Sequence, residues 1–393
     1  MRVSATKPSA RVEQNQYNTK YRIKNYGLGN DYPQKLIDIF GSSGTGASCI
    51  DIYCTHVEGN GFVELSLNDA ILNQKGERAS KLLRKIAHDL PRFGGFAVLV
   101  KYNGMMEKDE FYHVPFEHCR LEIDKDRNLT GRIALHPDWT GINGRTFKTD
   151  DIKYINRYNP ATVSAEMKDI GGPLNYLGQI YYFTLSGDFQ YPICPFDPII
   201  TDMLTEESVS TVKHRNAKNN FLPAGVLVRK GIKPPTNADG SIDESNPLNR
   251  QNQESADELK KWQGDQNACK MLVVDIDTDE EKPEFIAFEA KNLDRQFEKT
   301  EPTVQENIAR MFKIPPILRG VDVGAGFGAE LIENAFIYMN SNTQRERNAI
   351  REVFMDLMTD YRQQFANFDI DPLHYLVTTQ AIPAQQTDQT VTT

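Results

Sequence analysis

The chain has 393 residues and a formal net charge of −9 at pH 7, from 45 basic and 54 acidic residues. Hydrophobic residues make up 39% of it, which is enough to form the cores of two or three compact units of roughly 150 residues each. No stretch approaches the roughly 20 consecutive apolar residues of a membrane span, and the N-terminus lacks the apolar segment of a signal peptide, so we expect a soluble chain. The acidic balance excludes a surface that binds nucleic acid as a whole, and any DNA contact must be local or weak.

The cysteines are scattered along the chain and predict a reducing compartment. They are Cys49, Cys54, Cys119, Cys194 and Cys269. Their number is odd, and their spacing matches neither a Cys-x-x-Cys zinc site nor a disulfide framework.

Residues 1–31 form a first segment that is basic and poor in apolar clusters. It contains six basic residues against Glu13 alone before Asp31. Such a composition is typical of a flexible, solvated arm, and the alternative is an arm that binds DNA or a partner.

From Tyr32 to about Pro195 the pattern is mixed and predicts an α+β unit. An apolar period of 3.6 residues predicts a helix over 79–90, which Pro91 is expected to end. The order of the elements shows no repeated β-α-β pattern. Strands are predicted at 96–102, 111–114, 120–123, 132–135, 152–157 and 181–183.

Residues 197–220 predict a helix with one narrow apolar face and a polar remainder. That face consists of Ile199, Ile200, Met203, Leu204, Val209 and Val212. Between 221 and 290 the pattern predicts strands at 224–229, 270–276 and 284–288. A polar loop without fixed structure at 233–254 and a short helix that ends near Trp262 are expected between the first two strands.

The last third begins with Pro302, which is suited to the first turn of a helix over 302–312. Pro315-Pro316 must end that helix. After Gly328 the helical pattern is unbroken to about Asp371, which predicts a rod of about 55 Å if straight. The centre of this rod, 340–348, is wholly polar and is expected to cross a solvated or intersubunit space. The apolar face of the helix over 302–312 consists of Val304, Ile308, Met311 and Phe312. The Gln- and Thr-rich tail from Gln380 is expected to be disordered.

Two glycine-rich segments have the outline of nucleotide-binding turns but lack what such sites need. In 41–48, Ala47 stands where a phosphate-binding loop has lysine, so we interpret this segment as a flexible surface loop. In 324–329 the glycines fit a dinucleotide turn, but Pro-Pro precedes them and unbroken helix follows. We interpret the second segment as a mobile loop whose glycines allow a close backbone approach, and we expect no cofactor.

Acidic residues cluster where a calcium loop could be sought, but the pattern fails. Glu280 replaces the required glycine, and Ile286 occupies the position of the bidentate acid. We therefore interpret the cluster as an acidic rim or a solvated face. Its members are Asp275, Asp277, Asp279, Glu280, Glu281 and Glu284.

His113 and His118-Cys119 lie near one another in the sequence, but no further ligands follow at metal spacing. We expect these histidines to be buried or hydrogen-bonded, and we expect no metal site. No assembled catalytic set is found in the sequence, which favours a structural or binding role over an enzyme.

Two segments together resemble the portal proteins of tailed bacteriophages. In 216–227 a polar helix end turns abruptly into a strand, and in 302–328 a helix runs through Pro315-Pro316 into a glycine-rich loop. The resemblance covers most of the chain and is strongest between about 190 and 360. It implies an α+β portal-protein fold and a ring of about twelve subunits at one capsid vertex, through which double-stranded DNA is packaged and later ejected.

The resemblance also implies a division into the family's domains. The crown domain is expected to be reduced or absent, because few residues follow the long helix. The implied segments are a basic arm (1–31), the wing (32–195), the first stem helix (196–220), the clip (221–290), the second stem helix (291–314), the tunnel loop (315–328), the long helix with its return to the wing (329–379) and a disordered tail (380–393).

The same resemblance implies partners and the residues that meet them. The acidic cluster would dock the terminase large subunit and then a head-tail adaptor. A capsid protein or scaffold is a further implied partner, and the implied location is the virion, after assembly in the bacterial host cytoplasm. A basic cluster on the first stem helix is expected to pair between subunits, with transient phosphate contact as the alternative; it comprises Lys213, His214, Arg215 and Lys218. The implied DNA-contacting residues of the tunnel loop are Arg319, Val321, Asp322, Val323, Gly324, Ala325, Gly326, Phe327 and Gly328.

Two other classes of protein remain open at this point. Another ring component of the virion, such as a head-tail adaptor or a capsid-associated protein, would share the lack of catalytic residues. A nucleotide-binding enzyme would have to use the two imperfect glycine-rich turns.

Overall fold

The computed structural model describes residues 16–140, 151–218, 225–230, 271–276, 284–287, 293–321 and 328–375. These residues form two compact units. We call residues 34–49 and 196–311 the helical unit, and residues 16–33, 50–195 and 312–375 the sheet unit. No helix in the described ranges is long and apolar enough to cross a membrane.

Both units combine helices and strands, which confirms the predicted α+β class. The α-helices are α1 (Tyr32–Ser42), α2 (Gly44–Glu58), α3 (Leu65–Asp69), α4 (Ala79–Phe93), α5 (Val163–Asp169), α6 (Ile200–Lys218), α7 (Leu293–Met311), α8 (Ala329–Asn342) and α9 (Gln344–Met358). The strands are β1 (Tyr17–Asn18), β2 (Ile23–Lys24), β3 (Gly95–Tyr102), β4 (Lys108–Val114), β5 (Cys119–Ile123), β6 (Leu129–Leu135), β7 (Lys153–Arg157), β8 (Gln179–Thr184), β9 (Gly225–Lys230), β10 (Met271–Ile276) and β11 (Glu284–Ala287).

The sheet unit is built on eight strands in the order β1-β2-β5-β6-β7-β8-β3-β4. All neighbours are antiparallel except β7 and β8, which are parallel and are connected through α5. β3 is an almost continuous apolar run that pairs on both sides, and α4 packs against it. The apolar spacing of α4 explains this contact, because Leu82, Leu83, Ile86, Ala87 and Leu90 are all buried.

Pro91 does not end α4, contrary to the prediction. The helix continues to Phe93 and ends at Gly94, which has φ +77° and donates its N–H to Leu90 O at 2.9 Å. A proline in the last turn removes only one backbone hydrogen bond, and the left-handed glycine provides the actual stop.

The described part of the predicted basic arm, 16–31, is folded rather than flexible. β2 pairs with β5, and Ile23 is fully buried in a cluster with Trp139. Tyr26 is also fully buried; its ring stacks on Tyr191, and its hydroxyl donates to Pro192 O at 2.7 Å. Composition suggested an arm because only a few apolar residues anchor this segment, and they do so through contacts distant in sequence.

Arg120 is a fully buried cation in the core of the sheet unit. Its Nε donates to Asn30 Oδ1 at 2.6 Å, and its two terminal nitrogens donate to the backbone oxygens of Asn30, Glu117 and Cys119. The rings of Tyr26 and Trp139 lie 5.6 and 5.4 Å from the guanidinium carbon. Arg120 therefore connects the chain around Asn30 to the start of β5.

In the helical unit, a three-stranded sheet follows α6 and precedes α7. β9 is the central strand, parallel to β10 and antiparallel to β11. These strands confirm the three predicted between 221 and 290. The loop predicted at 233–254 and the helix near Trp262 lie outside the described residues.

α7 begins at Leu293 rather than at Pro302, which lies inside the helix. Pro302 lacks only the N–H that would bond to the carbonyl four residues earlier, and a helix can tolerate this when packing holds both of its halves. The predicted apolar face is largely confirmed, since Val304, Ile308 and Phe312 are buried.

The predicted long rod is two helices, α8 and α9, separated by Thr343. The helical hydrogen bonding continues across this break, because Thr343 N–H donates to Met339 O and Arg347 N–H donates to Thr343 O. α9 ends at Met358, well before Asp371, and Asp360 follows with φ +61°. The helical period alone did not reveal this end, because apolar residues beyond it, such as Tyr361, are buried without being helical.

Candidate functional site

The structure describes the beginning and the end of the predicted tunnel loop, residues 315–321 and 328. Pro316–Arg319 forms one turn of 3₁₀ helix, and Gly320, with φ +73°, donates its N–H to Ile317 O. Val321 follows and is 47% exposed. Gly328 directly precedes α8. The residues between them, Asp322, Val323, Gly324, Ala325, Gly326 and Phe327, lie outside the described residues.

The predicted basic cluster lies on the last turns of α6. Lys213, His214 and Lys218 are exposed, and Arg215 is half-buried. Lys213 forms an ion pair with Glu301 of α7, and the expectation that the cluster pairs between subunits stays a prediction. The pair joins two helices that pack against each other. Because both side chains are partly solvated, this ion pair contributes little stability.

Only the two ends of the acidic cluster lie in the described strands. Asp275 is in β10, where the parallel register places it opposite Arg229 of β9, and Glu284 begins β11 opposite Val228. The remaining members, Asp277, Asp279, Glu280 and Glu281, lie outside the described residues. A docking role for this cluster therefore stays a prediction.

The glycine-rich segment 41–48 is a helix junction and not a flexible surface loop. α1 ends at Ser42 and α2 begins at Gly44. The carboxylate of Glu206 lies at this junction, where it accepts hydrogen bonds from the Ser43 hydroxyl and from the N–H and hydroxyl of Thr45. The N-terminus of a helix favours an anion, and here the chain's own carboxylate occupies that place.

Glycine at position 46 is required by this packing. A Cβ there would lie 2.7 Å from Ser43 Oγ and 3.1 Å from Met203 Sδ. Sequence reasoning missed the junction because Glu206 is more than 150 residues away in the chain and no local signal connects the two segments.

The histidines on which a metal hypothesis could rest have other roles. His113 Nε2 lies 2.7 Å from Asp89 Oδ2, as expected for a hydrogen-bonded histidine. Burial lowers the pKa of His118, and the charge of Arg120 lowers it further. Burial also raises the pKa of the Cys119 thiol, so this cysteine is not an activated nucleophile.

Two residues in the polar centre of the predicted rod are buried, contrary to expectation. Thr343 is fully buried and Arg347 is 7% exposed. One terminal nitrogen of Arg347 donates to His56 O at 2.8 Å and to Thr343 Oγ1 at 2.6 Å, and the other donates to Asn340 O. This network joins α2 to α8 and α9. A single sequence carries no signal that separates such a buried arginine from its exposed neighbours.

His56, which lies beside this network, makes the fold sensitive to acid. Its Nδ1 lies 2.9 Å from Ile52 O, while Nε2 is buried without a hydrogen-bond partner. Burial lowers its pKa, and the charge of Arg347 acts in the same direction. The unfolded chain therefore binds a proton more readily, so this contribution to stability is complete above about pH 6.5 and is lost as the pH falls below that value.

We expect the melting temperature to fall between pH 7.5 and pH 5.5, and to fall less in His56→Gln, which has no proton to gain. Thermal unfolding monitored by circular dichroism across this range tests the expectation. His374→Gln, which removes an exposed histidine, is the matched control. Equal pH dependence in wild type and His56→Gln would contradict the role of His56.

Comparison with known proteins finds similar solved structures, including chains of virion particles. No family model matches the sequence, and no curated protein matches it. A chain of the virion of a native gene transfer agent particle is 16% identical, with a TM-score of 0.45 over 86% of this chain and 83% of that chain. A chain of the neck of an empty gene transfer agent particle is 14% identical, with a TM-score of 0.47 over 88% and 85%.

A third solved structure is an HK97 family phage portal protein from Corynebacterium diphtheriae. It is 10% identical, with a TM-score of 0.38 over 80% of this chain and 88% of that chain. All three likenesses are distant.

Proposed function

We propose that this chain is a portal-type protein that forms a ring of about twelve copies in a phage-like virion. The observation that supports this function is the order of the elements. Helix α6 is followed by the three-stranded sheet, by α7 packed against α6, by the 3₁₀ turn at Pro316–Arg319 and by the paired helices α8 and α9. This order is consistent with the stem, clip, stem, tunnel loop and long helix that the resemblance to portal proteins implies, and so it supports the proposal.

The proposed ring is a conduit for double-stranded DNA rather than an enzyme. Each phosphate neutralised by a basic side chain adds salt-sensitive affinity, so a basic channel would hold DNA, whereas an acidic one lets it move. The net charge of −9 suits such a channel. In this proposal the acidic cluster from Asp275 to Glu284 docks the packaging motor and later the head-tail adaptor.

Electron microscopy of the purified chain, combined with mass determination, tests the ring. We expect about twelve subunits around a central hole wide enough for a DNA duplex. A monomer or dimer that forms no ring, alone or with its capsid and scaffold proteins, would contradict the proposal.

The tunnel loop supplies a second test of the proposal. We expect replacement of residues 321–327 by a short Gly-Ser linker to leave rings intact, because the helices on either side keep their own contacts. Packaging of full-length genomes should be lost, as measured by the length of the protected DNA in particles. Packaging at the wild-type level would show that this loop does not contact DNA during packaging.

A further inference from the structure

A cavity of about 510 Å³ lies in the sheet unit beside α8 and α9. Ile337 and Asn340 of α8 line it together with Arg347, Asn348 and Arg351 of α9. The segment that follows α9, from Asp369 to His374, forms the opposite wall. This volume is within the range of protein sites that bind small ligands or single side chains.

The wall of the cavity contains a buried positive charge, Arg347. Arg347 is nine-tenths buried, and its hydrogen bonds go to two backbone carbonyls and one hydroxyl, all uncharged. Glu346 is its chain neighbour, but that carboxylate accepts from the Tyr53 hydroxyl at 3.0 Å. Within the described ranges Arg347 has no ion pair. The charge of Glu346 partly compensates that of Arg347, but burial still lowers the pKa of Arg347, so an anion in the cavity would stabilise the charged guanidinium further.

Two residues that line the cavity each have a polar atom that is buried without a hydrogen bond. Arg351 pairs with Asp369 through one terminal nitrogen at 3.1 Å, but its Nε has no partner. Asn340 Nδ2 donates to Leu373 O, whereas its Oδ1 has no partner. Both atoms belong to side chains that line the cavity but are not themselves exposed to it, so a bound group would meet this donor and acceptor after those side chains adjust. An acidic residue of a polypeptide satisfies both, because its carboxylate accepts and its backbone N–H donates.

We propose that this cavity binds an acidic side chain of a second copy of the chain and so forms part of the contact between subunits. The inference rests on the proposed ring. Charge complementarity supports this occupant, because the chain itself has an excess of nine acidic residues. Ile337, at the rim, is 56% exposed, and Tyr338 next to it is 49% exposed, which is typical of a protein interface.

Nucleic acid fits the cavity less well. Its lining includes the apolar side chains of Ile370 and Pro372, which do not favour a phosphate backbone.

Substitution inside the cavity tests the proposal. Asn348 is exposed, lines the cavity and can be changed to glutamate, which places a carboxylate beside Arg347 and Arg351. Asn334→Glu is the matched control, because Asn334 is exposed on α8 and does not line the cavity. We expect Asn348→Glu to raise the concentration at which half of the chain is assembled by roughly tenfold or more, as measured by mass photometry. Asn334→Glu should assemble like wild type.

A photo-crosslinker at Gln344, which lines the cavity, identifies the occupant directly. With p-benzoylphenylalanine at this position, we expect crosslinks to an acid-containing peptide of another copy in the assembled fraction and none in the monomer. Assembled wild-type rings with no such crosslink, or with a crosslink to DNA, would overturn this inference and leave the proposed function standing. Failure of the wild type to form rings would instead remove the proposed function, and the inference with it.

Discussion

Ile308→Glu is expected to prevent ring assembly and to destabilise the helical unit. Ile308 is fully buried, and α7 packs against α6 and against the 3₁₀ turn Asp197–Ile199. The glutamate would be a buried charge without a partner, and the loss of the isoleucine also removes apolar packing. We expect a loss of more than about 4 kcal/mol in the free energy of unfolding. Adding Val304→Glu on the same face should increase the loss.

Thr303→Glu provides the matched control, because it places the same carboxylate on the exposed side of α7. Urea unfolding and mass photometry of the two variants measure stability and assembly separately. We expect the control to unfold and assemble like wild type. Rings of the correct size from Ile308→Glu would show that this face of α7 is not required for packing.

Arg120→Met is expected to destabilise the sheet unit by about 3–5 kcal/mol. Methionine has a similar length and no charge, but it removes one of the two donors to Asn30 Oδ1 and the guanidinium donors to three backbone carbonyls. Arg120→Lys should recover only part of the loss, because an ammonium group cannot reach acceptors on both sides of a planar guanidinium. A fall of roughly 10 °C in the melting temperature is expected for the methionine variant.

The corresponding control for Arg120 is Arg84→Met on α4. Arg84 is exposed and pairs with Glu58 at 2.9 Å, a surface ion pair that contributes about 0–1 kcal/mol. If both variants melted within experimental error of wild type, the buried guanidinium network would be dispensable. Near-ultraviolet circular dichroism, which reports on the packing of Tyr26 and Trp139, gives an independent measurement.

Much of the secondary structure could be predicted, because the signals that define it are local. The apolar run of β3 and the alternating patterns of the other strands of the large sheet appear within a few residues of sequence. α6 was predicted from a narrow apolar face, and the second half of α7 from a period of 3.6 residues. The errors at Pro91 and Pro302 have one cause: a proline interrupts a single hydrogen bond, and packing decides whether the helix continues.

The candidate sites were harder to predict. The basic cluster lies on α6, where Lys213 pairs with Glu301 of the same chain, and its pairing between subunits stays a prediction. The cavity beside α9 was missed because a polar run such as 340–348 is the same in sequence whether water or protein surrounds it. Glycines at 41–48 suggested a loop, although Glu206 holds them in a helix junction.

Length, charge, the local periodicity of strands and helices and the resemblance to portal proteins were all available from the residues alone. The strand order, the burial of Arg120 and Arg347 and the carboxylate at the α2 N-terminus were decided only by the tertiary structure. The physical reason is that local patterns set backbone conformation over a few residues. Whether a polar side chain meets water or another part of the chain depends on contacts between segments that lie far apart in sequence.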